Sequence, residues 1–241
     1  MIIDSNNQVA SEGFQFKQFY IRHDHCAMKV GTDGVLLGCW ATTPSYPSPQ
    51  GRGIRILDIG TGSGLIARML MQRFPEAEVE GIDIDVAAVE QARENGVKAF
   101  VSSLQEWHST YDLIVSNPPY FQNSLKNPDK GRQTARHTDT LSYEELMRHS
   151  ARLLKEGGQL ALILPAEAED EIRQMAAGEG LYLARATRVY SKVSKPARRV
   201  LLLFEITKSQ GYEITTDSLI LENETGGRSA EYQELTKDFY L

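Results

Sequence analysis

Asn117-Pro118-Pro119-Tyr120 is the stretch of this sequence best suited to chemistry, because it offers hydrogen-bond acceptors and an aromatic face but no strong base. An amino group attached to an aromatic ring is a poor nucleophile, since its lone pair is delocalised into the ring. An acceptor on each N–H favours the pyramidal geometry in which that pair can point at an electrophile. Asn117 supplies a side-chain oxygen, and Pro118 supplies a backbone carbonyl held by the stiff diproline. Tyr120 adds a face on which an extruded base can stack. Much of the gain would come from holding the two reactants in a near-attack pose. A plain rigid turn could also use two prolines, but here all four residues follow the apolar run 112–116, which reads as a central strand.

A second constellation precedes it. Leu57-Asp58-Ile59-Gly60-Thr61-Gly62-Ser63-Gly64 places three alternate glycines directly after an apolar run. Residues without side chains let the chain turn tightly and let a ligand approach the backbone. The spacing is not the dinucleotide fingerprint G-x-G-x-x-G, because the third glycine comes one residue early and Leu65 fills its place. With Asp58 just before the turn, the loop resembles the first motif of class I methyltransferases, and that resemblance implies S-adenosylmethionine as cofactor. Asp83 closes the run 79–83, which reads as the second strand, where an acid can accept from both ribose hydroxyls of an adenosine. Asp85 is the rival for that role, although its place beyond the run suits an N-cap of the following helix. Ser103 and Leu104 lie where such enzymes surround the cofactor adenine, and either residue could equally be ordinary loop packing.

The elements that must hold these residues alternate in type. Strands are expected at 54–59, 79–83, 98–101, 112–116 and 160–164, with helices at 65–74, 86–95 and 166–177 between or after them. Ser142 and Glu145 form a capping-box pattern that opens a helix reaching Lys155 and ending at Gly157-Gly158. The runs 181–189 and 200–206 have no helix between them, so they are expected to pair antiparallel. This order predicts a doubly wound, Rossmann-like α/β fold of the class I methyltransferase type, with a mixed seven-stranded sheet and a C-terminal antiparallel edge hairpin. Its ligand should sit beyond the carboxyl ends of the strands. Residues 1–41 are expected to form a flap over the cofactor site, 42–53 a proline-rich linker, and 54–241 the catalytic domain. In the flap, Thr32 or Asp33 could cap a short helix, and Lys29 or Thr32 could lie near the cofactor's carboxylate. His23 and His25 flank Asp24, but no third ligand accompanies them, and no metal is expected. Trp40 and Trp107 read as packing residues.

Over almost all of its length the chain resembles the bacterial tRNA1(Val) adenine N6-methyltransferase family. The likeness rests on the Asn117–Tyr120 motif, on the stretch 14–19, on Met28-Lys29-Val30-Gly31-Thr32-Asp33-Gly34-Val35-Leu36-Leu37-Gly38, on Thr134-Ala135-Arg136-His137 and on the ending 231–241. It implies methylation of adenosine 37, beside the anticodon. By that resemblance Gly60, Gly62 and Asp83 would hold the cofactor, Asn117 and Pro118 the amino group, and Tyr120 the base, while Asp58 and Gly64 of the same loop are further cofactor candidates. Relatives commonly carry Asp where this chain has Ser103, which leaves a neutral contact there. A glutamine side-chain amide and a DNA adenine are alternative planar amino substrates.

Composition sets the outer bounds. The 241 residues suffice for one substantial core and not for two catalytic domains. The start lacks a basic, apolar leader, and no run approaches the ~20 apolar residues of a membrane span, so a cytoplasmic protein is expected. Cys26 and Cys39 have no metal-like spacing. A net charge of −6 opposes nucleic acid as substrate unless cations are gathered locally. Two segments gather them. The first, 126–137, holds Lys126, Lys130, Arg132 and Arg136; the second, 185–199, holds Arg185, Arg188, Lys192, Lys195, Arg198 and Arg199 and no acid. Of these, Lys126, Lys130, Arg132, Arg136, Lys192, Lys195, Arg198 and Arg199 are the candidates for contacts to a tRNA. A monomer is the expected state.

Overall fold

Neighbouring residues along the central strands send their side chains into different hydrophobic layers. Ile56, Leu113, Val115, Ala161 and Ile163 join one buried cluster, while Leu57, Ile114, Leu160, Leu162 and Leu164 join the other. That alternation is what a strand buried on both faces requires, and it explains why these runs read as continuously apolar. The computed structural model describes residues 13–24, 29–41, 53–119, 141–206 and 213–240. Tyr120, Lys126, Lys130, Arg132, Arg136, His25, Cys26 and nearly all of the expected linker lie outside the described residues.

The elements in chain order are β1 (Gly13–Gln15), β2 (Tyr20–Arg22), α1 (Thr32–Trp40), β3 (Arg55–Ile59), α2 (Leu65–Arg73), β4 (Glu78–Asp83), α3 (Val86–Glu94), β5 (Lys98–Val101) and β6 (Tyr111–Ser116). There follow α4 (Tyr143–Leu153), β7 (Leu154–Pro165), a short 3₁₀ turn, α5 (Glu169–Gly178), β8 (Tyr182–Tyr190), β9 (Ala197–Glu205), β10 (Thr215–Ile220) and α6 (Ala230–Thr236). Among the described residues the main sheet runs β10-β8-β9-β7-β6-β3-β4-β5, and β1 pairs with β2 as a separate hairpin. No described helix is long and apolar enough to cross a membrane.

The chain moves outward from β3 to β4 and β5, then returns to the other side of β3 with β6 and β7. All of these neighbours are parallel, so a crevice opens between the carboxyl ends of β3 and β6, where the winding reverses. Ser116, the last residue of β6, donates its hydroxyl to the Ile59 carbonyl at 2.9 Å and ties the two strand ends together.

The doubly wound class is as expected, with two corrections. The sheet has eight strands rather than seven, and the β8–β9 hairpin is not its edge. β9 lies antiparallel between β7 and β8, and β10 adds outside β8 in parallel. β10 escaped the sequence reading because Thr215, Thr216, Asp217 and Ser218 give it no apolar alternation, and Leu219 is its one buried residue. Its polar side chains are matched instead, Asp217 accepting from Arg185 and from the Thr187 hydroxyl.

Local signals behaved more simply. Ser142 and Glu145 form the full capping box, but α4 stops at Leu153 and β7 begins at once. Asp85 caps α3 by accepting from Ala87 N at 2.9 Å. The N-cap of α1 is Gly31, without a side-chain bond, in place of Thr32 or Asp33.

α1 lies along α2 through two glycines four residues apart. A Cβ on Gly34 would stand 3.0 Å from the Leu65 side chain, and one on Gly38 would stand 2.6 Å from Met69 Sδ. Leu65 and Met69 are also four apart, so the two helices run side by side in the same direction, with their first turns adjacent. The N-terminal hairpin completes this layer. Phe16, Phe19 and Ile21 share a buried cluster with Val35, Cys39, Leu65, Met69 and Phe239. Trp40 is buried and donates to Thr187 Oγ1 at 2.8 Å, and Trp107 donates to the Tyr111 hydroxyl at 2.8 Å; both are packing residues.

Candidate active site

The glycine loop carries three residues in the left-handed region, Gly60 at φ 68°, Gly62 at φ 54° and Gly64 at φ 80°. Side chains are disfavoured at all three, but for different ends. A Cβ on Gly60 or Gly62 would meet nothing within 4 Å, so both face open space above the strand ends. A Cβ on Gly64 would stand 2.7 Å from Val97 Cγ2 and 3.3 Å from the Ala92 Cβ, so this glycine lets α2 pack closely and offers no face to a ligand. The loop is held from beneath, with Gly60 N and Thr61 N donating to the Ile82 carbonyl at 2.9 and 3.0 Å.

Two carboxylates frame the loop. Asp83 accepts from Gly62 N and from Asp85 N, each at 3.0 Å. Asp58 is fully buried, and its Oδ2 accepts from Thr61 Oγ1 at 2.8 Å and from Ala67 N at 3.2 Å. Its Oδ1 is buried with no hydrogen-bond partner among the described residues. Burial pushes the Asp58 carboxyl up to about 7 against the lowering effect of Thr61 and Ala67, and the Asp83 charge raises it further. A pair of acids with an unsatisfied buried oxygen, beside a glycine surface clear of side chains, suits a ligand that carries positive charge and an adenosine. The residues present therefore fit the sulfonium cofactor that the loop's motif implies.

Asn117 follows the other strand of the crevice. β3 and β6 pair Ile59 with Ser116, which sets Gly60 and Asn117 side by side across the switch point. Asn117 is half-buried, Pro118 buried and Pro119 exposed. The start of α1 belongs to the same edge. Lys29 and Thr32 are exposed there, next to the first turn of α2, and Asp33 bonds Arg199 at the start of β9 at 2.8 Å.

The third-strand residues divide. Ser103 donates to Glu106 Oε2 at 3.0 Å, and Leu104 is buried in the core with Leu57 and Ile82 instead of standing at the surface. The apolar groups exposed near Asp83 are ones the sequence reading passed over. Ile84 is 57% exposed, and Val101, paired with Asp83 in register, is 47% exposed. Their signal was an apolar residue placed just at or past a strand end, where nothing in the fold needs it. Ser116 was also missed, because one hydroxyl in the run 112–116 looked incidental.

The basic segment 185–199 is less basic in three dimensions. Arg185 bonds Asp217 at 2.6 Å, Arg188 bonds Glu169 at 2.8 Å, Lys192 bonds Glu222 at 3.3 Å, and Arg199 bonds Asp33. Lys195 and Arg198 are its two cations without an ion pair among the described residues. Since β7 and β8 are both antiparallel to β9, β8 runs parallel to the core strands. The turn after it, with Lys192 and Lys195, therefore lies at the same sheet edge as Gly60 and Asn117.

Comparison with known proteins agrees with this geometry. The profile of the methyltransferase small domain family matches residues 47–174. A tRNA1(Val) (adenine(37)-N6)-methyltransferase of Parabacteroides distasonis is 45% identical, over 97% of this chain and 99% of its own length. One of Aeromonas salmonicida is 42% identical, over 96% and 98%. Among solved structures, a predicted O-methyltransferase from Agrobacterium tumefaciens superposes with a TM-score of 0.64 at 19% identity, covering 86% of this chain and 96% of its own, and it supports the fold.

Proposed function

The chain belongs to the family of the tRNA1(Val) (adenine(37)-N6)-methyltransferases, and from that membership we propose that it methylates the N6 amino group of adenosine 37 in the anticodon loop of tRNA1(Val), using S-adenosylmethionine. Membership decides between the planar amino groups left open by the motif, in favour of adenine in RNA over a glutamine side chain or a DNA adenine. The observation that carries the chemical reading is the pairing of Ile59 with Ser116, which brings the cofactor loop and Asn117 together at one point of the sheet.

When bound, S-adenosylmethionine supplies an electrophilic methyl on a sulfonium. Asp83 would accept from the ribose hydroxyls, Gly60 and Gly62 would leave the backbone open to the ligand, and Asp58, buried beneath the loop, would hold it in shape through Thr61 and Ala67. Residues 1–41 would act as a flap over the cofactor, with Lys29 and Thr32 at its methionine end. Asn117 Oδ1 and the Pro118 carbonyl would accept the two N–H bonds of adenine, and Tyr120 would stack on the ring. These acceptors favour the pyramidal amine formed as the methyl moves and act mainly on the transition state. Water can take the released proton. Lys195 and Arg198, with Lys126, Lys130, Arg132 and Arg136, would meet phosphates and position the loop without reading its sequence. The enzyme would act as a cytoplasmic monomer.

The test is methylation of tRNA from a strain lacking the modification, followed by mass analysis of the labelled nucleoside. N6-methyladenosine at position 37 is expected. Label appearing only in protein or DNA would refute the reading.

A further inference from the structure

The turn joining β8 to β9 has a feature that phosphate binding does not use. Val193, at its tip, is 72% exposed, the most exposed large apolar side chain among the described residues. It is also held there. Lys195 N donates to the Lys192 carbonyl at 3.1 Å, closing the turn, and Pro196 follows. From the side, Leu221 N donates to the Tyr190 carbonyl at 2.8 Å and Glu222 N to the Ser191 carbonyl at 3.0 Å, while Lys192 bonds Glu222. A valine pushed into water by a braced turn contributes almost nothing to the fold, because burial is what makes an apolar group stabilising. The cations flanking it along the chain are sorted in a telling way. Lys192, before it, is spent on Glu222, while Lys195 and Arg198, after it, have no ion pair among the described residues.

We infer that Val193 is an apolar wedge that packs against a nucleobase next to the target adenosine, with Lys195 and Arg198 holding the adjoining phosphates. This rests on the tRNA reading above. Extruding one base for chemistry leaves a neighbour unstacked, and an apolar side chain can cover the exposed face. The position allows it. β6 and β8 are three strand spacings apart, about 14 Å, and both end at the same edge. Register also carries the tip beyond Asn117, because Ser116 is level with Leu162, Leu202 and Ala186, so Val193 stands about 20 Å from Asn117, a distance that an RNA hairpin loop spans. Charge and apolar surface would act separately, the cations on any phosphate and Val193 only on a displaced base.

The experiment uses the full-length enzyme with tRNA1(Val) carrying 2-aminopurine at the nucleotide 3′ to the target. Binding by the parent protein should change the probe's fluorescence. Val193→Ser should weaken tRNA affinity about five- to tenfold, reduce the fluorescence change, and leave both cofactor affinity and the salt dependence of tRNA binding unaltered. Val193→Ile should restore both signals. Lys195→Gln and Arg198→Gln should do the reverse, each lowering the log–log salt slope by roughly 1. Parent-like tRNA affinity and fluorescence in Val193→Ser, with methylation of adenosine 37 by the parent intact, would overturn the wedge alone. Absence of that methylation in the parent would instead overturn the reading beneath it.

Discussion

Replacing Asp83 with alanine should weaken S-adenosylmethionine binding while leaving the fold intact, and the structure sets the size of the effect. A carboxylate has about four acceptor positions. Gly62 N and Asp85 N occupy two of them in Asp83, one on each oxygen. The remaining two match the two hydroxyls of a ribose. Alanine removes those acceptors and also releases Gly62 N from the bond that orients the loop. Hydrogen bonds to a charged group are worth about 1.5–3 kcal/mol. Asp83 is only half-buried, so solvent screening brings each of the two ribose bonds below that range, to about 0.8–1.5 kcal/mol. A total loss of roughly 1.5–3 kcal/mol corresponds to about 10- to 100-fold in affinity. Asparagine should do little better than alanine. Its amide must turn its NH2 toward either Gly62 N or Asp85 N, setting donor against donor, and it leaves one oxygen for the ribose. Asp85→Ala is the internal control. It removes the cap of α3, worth about 1 kcal/mol of stability, and should lower the melting temperature without changing cofactor affinity. Isothermal titration with S-adenosylmethionine, alongside thermal melts, measures both quantities. Unchanged affinity in Asp83→Ala, with the loss appearing in Asp85→Ala, would move the ribose to Asp85. Parent-like binding by Asp83→Asn would refute the acceptor count.

Asn117→Ala should lower single-turnover methyl transfer about 100-fold with little change in cofactor affinity, because its acceptor acts on the reacting amine; rapid-quench assays with labelled cofactor check this. Gly62→Ala and Gly64→Ala should separate binding from stability. The first places a methyl in the open cofactor space at a cost of about 1–2 kcal/mol for the left-handed backbone. The second adds a collision with Val97 and should lower the melting temperature by on the order of 10 °C. Asp58 predicts a pH dependence. Its folded pKa, about 7, lies above the ordinary value of 3.8 that it has in the unfolded chain, so the folded state binds the proton more tightly. Its contribution to stability is therefore complete below about pH 4, falls as pH rises, and is lost above about pH 7. Melting temperatures of the apoprotein should decline across that window, and Asp58→Asn should flatten the decline; equal slopes would show that Asp58 does not titrate there.

The local features of the site were legible in the sequence because each reflects a constraint that acts within a few residues. Gly60, Gly62 and Gly64 are required by positive φ, Asp85 and Ser142 by the unpaired N–H groups of a helix start, and Asn117-Pro118 by the need for acceptors on a stiff support. The strands of the central sheet were legible because burial on both faces demands an unbroken apolar run. β10 was not, since its residues answer to Arg185 and Thr187 rather than to the core.

What only the tertiary structure decided depends on partners far apart in the chain. Gly60 and Gly64 look alike in sequence, yet one faces open space and the other meets Val97 and Ala92, because the fold brings the end of α3 and the residue before β5 against the start of α2. The run 185–199 reads as six cations without an acid, but Glu169, Asp217, Glu222 and Asp33 reach four of them from other elements. The same holds for Ser116, whose hydroxyl finds the Ile59 carbonyl 57 residues away. Sequence thus determined which groups could bind a cofactor and orient an amine, because backbone preference and side-chain chemistry are local. Their meeting at one crevice, and the removal of most cations from a surface that seemed made of them, were set by strand order and register, which short-range pattern does not encode.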